Sequence, residues 1–247
     1  EAKEQLHKEA DYRIEAGHMI DYAELIKDDD RFELPTVIPE LSGERVLAMS
    51  YLAGDSIETA EHQPREIRDR IATTMIDLTL AELFHWQRVQ SDPNFANYRF
   101  NAETGRIGLL DFGGVREYDK PWTDTWARLM LAGAHEDRET IREAAITLGY
   151  ITETSPSAAQ ENMVDMILTA SEPSRAEHGF NFGESTLVER LARQVYTMRT
   201  EHDFWILPAI DVLFLHRKLG GIYQLCARLH ATVDVRELME RHLLDGG

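Results

Sequence analysis

Apolar residues recur at helical spacing between residues 64 and 88. Ile67, Ile71, Met75 and Leu78 make one stripe, and Ile76, Leu80, Leu83 and Phe84 widen it. So broad an apolar face predicts a helix buried on several sides, and Pro64 suits its first turn. Helical patterning also covers 1–27, where Leu6, Ala10, Ile14 and Ala16 alternate with Glu, Lys and Arg. After Pro121 it returns over 121–147, 157–171, 184–199, 205–230 and 234–243. Strand signals are sparse: 36–38 between Pro35 and Pro39, 45–52 between a Ser42-Gly43 turn and Gly54, and 107–110 after a turn at Glu103-Thr104-Gly105. The segment 172–183 reads as a loop. The expectation is a mainly α fold with a few short strands and the 64–88 helix as its buried spine.

Composition narrows the function classes. A chain of 247 residues with a hydrophobic fraction of 43% can bury a sizeable core. Its net charge of −18, with no basic run, argues against nucleic acid as a partner. That acidity disfavours plain electrostatic docking on anionic lipid, although a local patch leaves a membrane surface open as a partner. Cys226 is the single cysteine, so no internal disulfide can form and a reducing compartment is expected. The most apolar run, 204–215, is short and interrupted by Pro208 and Asp211. No signal peptide is visible. The chain opens on Glu1 already in helical pattern, as expected of part of a longer protein.

The chemistry-bearing stretch is Gln90-Ser91-Asp92-Pro93-Asn94-Phe95-Ala96-Asn97, followed by Leu110-Asp111-Phe112-Gly113. Asp92 and Asn97 carry the spacing of a kinase catalytic loop, and Asp-Phe-Gly that of its metal loop. Phosphoryl transfer asks for little covalent chemistry. It needs an acceptor positioned and triphosphate charge neutralised. Asp92 is the candidate catalytic, acceptor-orienting group, and Asn97 and Asp111 are candidate ligands for Mg2+ bound with ATP. Asp111 closes an apolar strand, where a lone carboxylate is costly and a metal removes the cost. The same residues also fit an Asp-Pro turn followed by a hairpin that ends in Asp.

Taken together, these motifs resemble the UbiB-like atypical kinases, the group tied to ubiquinone (coenzyme Q) biosynthesis. The loop 90–97 and Leu110-Asp111-Phe112-Gly113-Gly114-Val115-Arg116-Glu117-Tyr118-Asp119 look like its mitochondrial and alphaproteobacterial branch. Lys8-Glu9-Ala10-Asp11-Tyr12-Arg13-Ile14-Glu15-Ala16 is similar to the family's Glu-x-Asp motif and following Glu-Ala. Leu215-His216-Arg217-Lys218-Leu219-Gly220-Gly221 resembles a late family signature. The resemblance implies a protein-kinase-like large (C-terminal) lobe over 31–247. In it 90–97 is the catalytic loop, 111–113 the metal loop and 120–247 a helical extension, with 1–30 a bridging helix. It implies that Glu9 and Asp11 form the Glu-x-Asp motif and that Glu15 pairs with a strand lysine. Backbone around Met49, Ser50, Tyr51 and Leu52, with Leu110 near by, is where such a fold meets adenine.

The resemblance further implies ATP hydrolysis or phosphotransfer with ubiquinone precursor lipids or biosynthetic complex proteins as partners. The expected location is cytoplasmic or peripheral at a bacterial inner membrane, or the matrix side in mitochondria. The family's Lys-x-Gly-Gln segment, Ala-rich nucleotide loop and strand lysine are not found in these residues, and neither is a Gly-x-Gly-x-x-Gly loop. The small lobe is thus largely missing, and weak or no turnover is expected of this chain. Two other functions stay open: a small-molecule phosphotransferase of the aminoglycoside or choline kinase type, and a non-catalytic helical scaffold.

Several residues carry plainer expectations. Gly220-Gly221 inside a helical pattern points to close helix packing. Arg217 and Lys218 suit either a phosphate or an acidic neighbour. His85, at the end of a buried helix, reads as a core histidine and Cys226 as structural. The ten histidines show no metal-site spacing.

Overall fold

The computed structural model describes residues 11–201 and 208–244. Eight α-helices carry it: α1 (Tyr12–Leu25), α2 (Arg65–Phe84), α3 (Lys120–Ala134), α4 (Arg138–Thr147), α5 (Ser157–Ala170), α6 (Leu187–Glu201), α7 (Ile210–Arg228) and α8 (Val235–Leu243). The strands are short: β1 (Phe32–Glu33), β2 (Asp55–Ser56), β3 (Arg88–Gln90), β4 (Tyr98–Phe100), β5 (Ile107–Leu109), β6 (Val115–Glu117), β7 (Phe180–Asn181) and β8 (Thr232–Val233). The mainly helical fold class is as expected. No helix among the described residues is long and apolar enough to cross a membrane.

The spine is α2. Ile71, Ala72, Met75, Ile76, Leu78, Leu80 and Leu83 are buried on it, as the width of its apolar face requires. It contacts α7, α8, β3 and α3 and so joins the two halves of the core. One half gathers α1, α2, the β4–β5 hairpin and the C-terminal part of α7. The other gathers α3, α4, α5 and the start of α7. Two charged residues, Asp77 and Glu82, are buried on α2, at 5% and 1% exposure. Burial of that kind demands partners, and both have them.

Several elements differ from expectation. The 172–183 segment holds a 3-10 turn (Glu172–Arg175) and β7, which pairs with β8. The 121–147 pattern is two helices, because Asp137 caps a new helix at Arg138 by accepting the Thr140 N–H (3.1 Å) and Glu136 turns the chain at φ 57°. The 64–88 helix stops at Phe84, and Gln87 at φ 50° reverses the chain into β3. Residues 45–52 are extended but not a regular strand. They make isolated bridges, Val37 to Met49 and Gly43 to Val46, because Pro35 and Pro39 interrupt the partner and Ser42 Oγ takes up the Ala48 N–H (3.0 Å).

The strand pairing aligns the two loops of interest. β3 pairs antiparallel with β6, and β4 pairs antiparallel with β5. Residues 91–97 join β3 to β4, and 110–114 join β5 to β6. Partnered strands at both ends force these two connections to face each other.

Candidate active site

The facing loops are stitched residue by residue. Ser91 N–H and Oγ both donate to the Gly114 carbonyl, at 3.1 and 2.7 Å. Leu110 N–H donates to the Asn97 carbonyl (3.0 Å), and Gln90 Nε2 to the Asp111 carbonyl (3.0 Å). Asn97 Nδ2 donates to Asp92 Oδ2 at 2.9 Å. Asp111 Oδ1 accepts the Gly113 N–H at 2.9 Å. A side chain on Gly114 would rest 3.4 Å from the Asp92 Cβ. Asp92 and Asn97 are therefore bonded to each other, and Asp111 stands on the loop stitched to theirs. Asp92 is half-buried, Asn97 buried and Asp111 exposed. Exposure removes the desolvation argument for a metal at Asp111, and its place in the cluster is what remains. Asn97 commits its amide nitrogen to Asp92, so its oxygen is the atom that can ligate a cation. With Asp111 this gives the oxygen donors that Mg2+ takes. Mg2+ needs only one or two protein ligands when phosphates supply others. Among the described residues no three His, Cys, Asp or Glu side chains are grouped to hold a metal alone.

Helix α1 reaches the 110–114 loop from the other side. Glu15 Oε1 accepts the Phe112 N–H at 3.3 Å, and His18 Nδ1 donates to the Phe112 carbonyl at 3.1 Å. Burial, and then the neighbouring Asp111 charge, push the Glu15 carboxyl above its ordinary value. Glu15, for which the resemblance implies a lysine partner, is half-buried against this loop. Asp11 caps α1, accepting from Arg13 N–H (3.0 Å) and pairing with the Arg13 guanidinium (2.6 Å). Glu9 lies outside the described residues.

In the stretch expected to meet adenine, Ser50 N–H donates to the Thr36 carbonyl and Ser50 Oγ accepts the Thr36 N–H, both at 2.9 Å, Met49 is part-buried on the core, and Tyr51 is 87% exposed. Leu52 covers Gly108 of β5, where a Cβ would fall 2.5 Å from Leu52 Cδ2. Leu52 and Leu110 thus flank the strand that leads to Asp111.

Behind the loops runs a buried polar chain for which sequence reasoning assigned no role beyond Lys218. Lys218 Nζ, fully buried, pairs with Glu82 Oε2 (3.0 Å) and donates to the Tyr98 hydroxyl (3.2 Å). Tyr98 donates to Gln90 Oε1 (3.2 Å), and Glu82 Oε1 accepts from Tyr22 OH (3.1 Å) and Gln90 N–H (3.3 Å). Burial pushes the Glu82 carboxyl up, against the Lys218 charge and the Gln90 N–H. The network fixes Gln90, and Gln90 holds Asp111. A Glu inside the widest apolar helix face was the available signal. Arg217, the residue before Lys218, stands with Nη2 3.5 Å from Asp92 Oδ1. His85 is exposed rather than core, hydrogen-bonded to His242 Nδ1 at 2.8 Å. Cys226 is fully buried, and burial pushes its thiol up.

Residues 1–145 match the ABC1 atypical kinase-like domain. The chain belongs to that family. Its relatives include mitochondrial atypical kinases: COQ8 of Schizosaccharomyces pombe is 32% identical over 99% of this chain. The Caenorhabditis elegans coq-8 protein is 34% identical over 94%, and rat COQ8B 30% over 96%. The chain spans 40%, 31% and 45% of those three proteins. Rv3197 of Mycobacterium tuberculosis, solved with erythromycin, superposes with a TM-score of 0.76 at 19% identity. That match covers 96% of this chain and 59% of Rv3197. It shows the shared kinase-like fold. Within the ABC1 family fold, the Asp92, Asn97 and Asp111 cluster occupies the crossing of the two stitched loops.

Proposed function

We propose that this chain carries the large lobe of a Mg-ATP-dependent atypical kinase or ATPase that serves ubiquinone biosynthesis. The observation that carries the reading is the convergence of Asp92, Asn97 and Asp111 on two loops bound to each other. Asp92 orients the acceptor and takes its proton. Asn97 and Asp111 hold Mg2+, which supplies charge neutralisation on the phosphates. Leu52 and Leu110 border the nucleotide. The names of the COQ8 relatives support the ubiquinone assignment and a mitochondrial location; lipid precursors or biosynthetic proteins are the partners this reading proposes, with a membrane-peripheral place in a bacterial cell. A Gly-rich phosphate loop and a strand lysine are not found in these 247 residues, so slow turnover is expected of this chain alone.

The test is nucleotide binding and turnover in a form of the protein long enough to carry the small lobe. Asn97→Ala and Asp111→Ala should each weaken Mg-ATP binding by about tenfold or more. Asp92→Asn should spare binding and lower turnover by roughly 10²–10⁴-fold. Binding lost with Asp92→Asn, with normal turnover per bound nucleotide, would reverse the role assignment.

A further inference from the structure

We propose that Arg217 supplies the positive charge that meets the transferring phosphoryl group, a role the catalytic loop itself leaves unfilled. This rests on the phosphotransferase reading above. The loop reads Gln-Ser-Asp-Pro-Asn-Phe-Ala-Asn and contains no Lys or Arg. Charge building on a phosphoryl group in flight calls for a cation aimed at it.

Helix α7 delivers one. Gly221 lets α7 lie directly on the catalytic loop, since a Cβ there would fall 2.2 Å from the Cβ of Pro93. One turn earlier on the same helix face stands Arg217. Its guanidinium is 3.5 Å from Asp92 Oδ1 and 56% exposed, so it keeps N–H donors open toward solvent. The other nearby cations are committed. Lys218 is fully buried against Glu82. Arg116 stacks on the Phe214 ring at 3.4 Å and pairs with Asp211 at 3.5 Å. Arg88 pairs with Asp21 and Glu117. Arg217 sits 5.7 Å from that same Phe214 ring, which limits where its stem can lie.

The step balances without further reagents. The acceptor hydroxyl, or water, gives its proton to the Asp92 carboxylate as its oxygen bonds to the γ-phosphorus. The bond from that phosphorus to the bridging oxygen breaks, and its electron pair leaves with ADP. Asp92 then releases the proton to solvent. Arg217 exchanges no proton. It leaves Asp92 for the phosphoryl oxygens and stabilises their charge.

The experiment compares the protein with Arg217→Ala and Arg217→Lys, in the form that carries the small lobe. Turnover should fall by about 10²–10³-fold in Arg217→Ala and less in Arg217→Lys. Added guanidinium should restore part of the Ala variant's rate. Affinity for a non-hydrolysable Mg-ATP analogue should drop while affinity for Mg-ADP, which lacks the γ-phosphate, holds. Equal losses for both nucleotides would mean Arg217 only braces the loop, and unchanged turnover would also overturn the proposal. Asp111→Ala is the separating control. If it leaves Mg-nucleotide binding intact, the phosphotransferase reading itself fails. If it abolishes binding while Arg217→Ala is silent, only the Arg217 assignment fails.

Discussion

A single carboxylate shows how much one residue's surroundings alter its meaning. Glu15 can be picked out in the sequence, but only by resemblance, as the partner of a lysine. The structure gives it a second attachment, the backbone N–H of Phe112. Its carboxyl sits above the ordinary value through burial and the Asp111 charge. For an acid, a folded value raised above the unfolded one means that ionisation opposes folding. That cost is absent below the ordinary glutamate value of about 4.3 and fully present once pH exceeds the raised value. Glu15→Gln keeps an acceptor for Phe112 and removes the charge. It should leave the thermal midpoint equal or slightly higher at pH 7, with the advantage gone near pH 4. Glu15→Ala orphans the N–H and should cost about 1 kcal/mol. Denaturant melts of the two variants decide this. A Gln variant as unstable as Ala at pH 7 would show that the charge, not the hydrogen bond, secures the metal loop. Asp92, Asn97 and Asp111 could be singled out by a spacing that phosphoryl chemistry sets, and the fold puts them on two loops bonded to each other. Gln90, Glu82 and Tyr98 could not be, because their partners are distant in sequence and only the fold brings them together.

At the scale of elements, long helices were legible and short strands were not. Helices α2, α5 and α8 begin and end within a few residues of their apolar patterns, since burial of one face is written every third or fourth residue. Strands of two or three residues carry too few positions for a period-two signal, so of the eight only β5 was read. The 121–147 pattern hid a break because the apolar stripe continues across Glu136 while the backbone does not. The Gly-Gly pair in α7 tests the packing of an element directly. Gly221 abuts Pro93, whereas nothing stands within 4 Å of a Cβ on Gly220. Gly221→Ala should therefore cost about 1–3 kcal/mol by forcing the helix and the 91–97 loop apart. Gly220→Ala should stabilise by up to about 1 kcal/mol, the helix-propensity gain of an unobstructed site. Chemical denaturation of both variants reads the contrast. Equal effects of the two changes would mean that α7 does not bear on the catalytic loop.

At the scale of the molecule, one buried carboxylate ties together segments from both ends of the described chain. Asp77 on the spine accepts from Arg31, which follows α1 (2.6 Å), and from Arg241 (3.3 Å) and His242 Nε2 (2.7 Å) on α8. Because Asp77 can only accept, His242 Nε2 carries the proton, and in neutral His242 the Nδ1 accepts from His85. Burial pushes the Asp77 carboxyl up. The bonds from His242 and Arg31 and the Arg31 charge outweigh it, holding the value down at about 2 against an ordinary 3.8. A depressed carboxylate contributes stability that is present above its unfolded value and is lost as pH falls through the folded one. The clamp should therefore act fully at pH 5–7, weaken below about 4 and be largely gone near pH 2. Arg31 and Arg241 are 41% and 50% exposed and can turn to water when freed. Asp77→Asn should therefore cost about 1–3 kcal/mol at pH 7 rather than the full penalty of a stranded buried pair. For a chain of this size that is roughly 2–4 °C of thermal midpoint for each kcal/mol. The exposed pair Lys120–Asp124 provides the comparison, and Asp124→Asn should move the midpoint little at any pH. The decisive measurement is the midpoint of wild type and Asp77→Asn from pH 7 down to pH 2.5. The two curves should converge as Asp77 takes up its proton. A gap that stays constant over that range would mean that the shape of the Asp77 side chain, not its charge, holds the N-terminal segment and α8 to the spine.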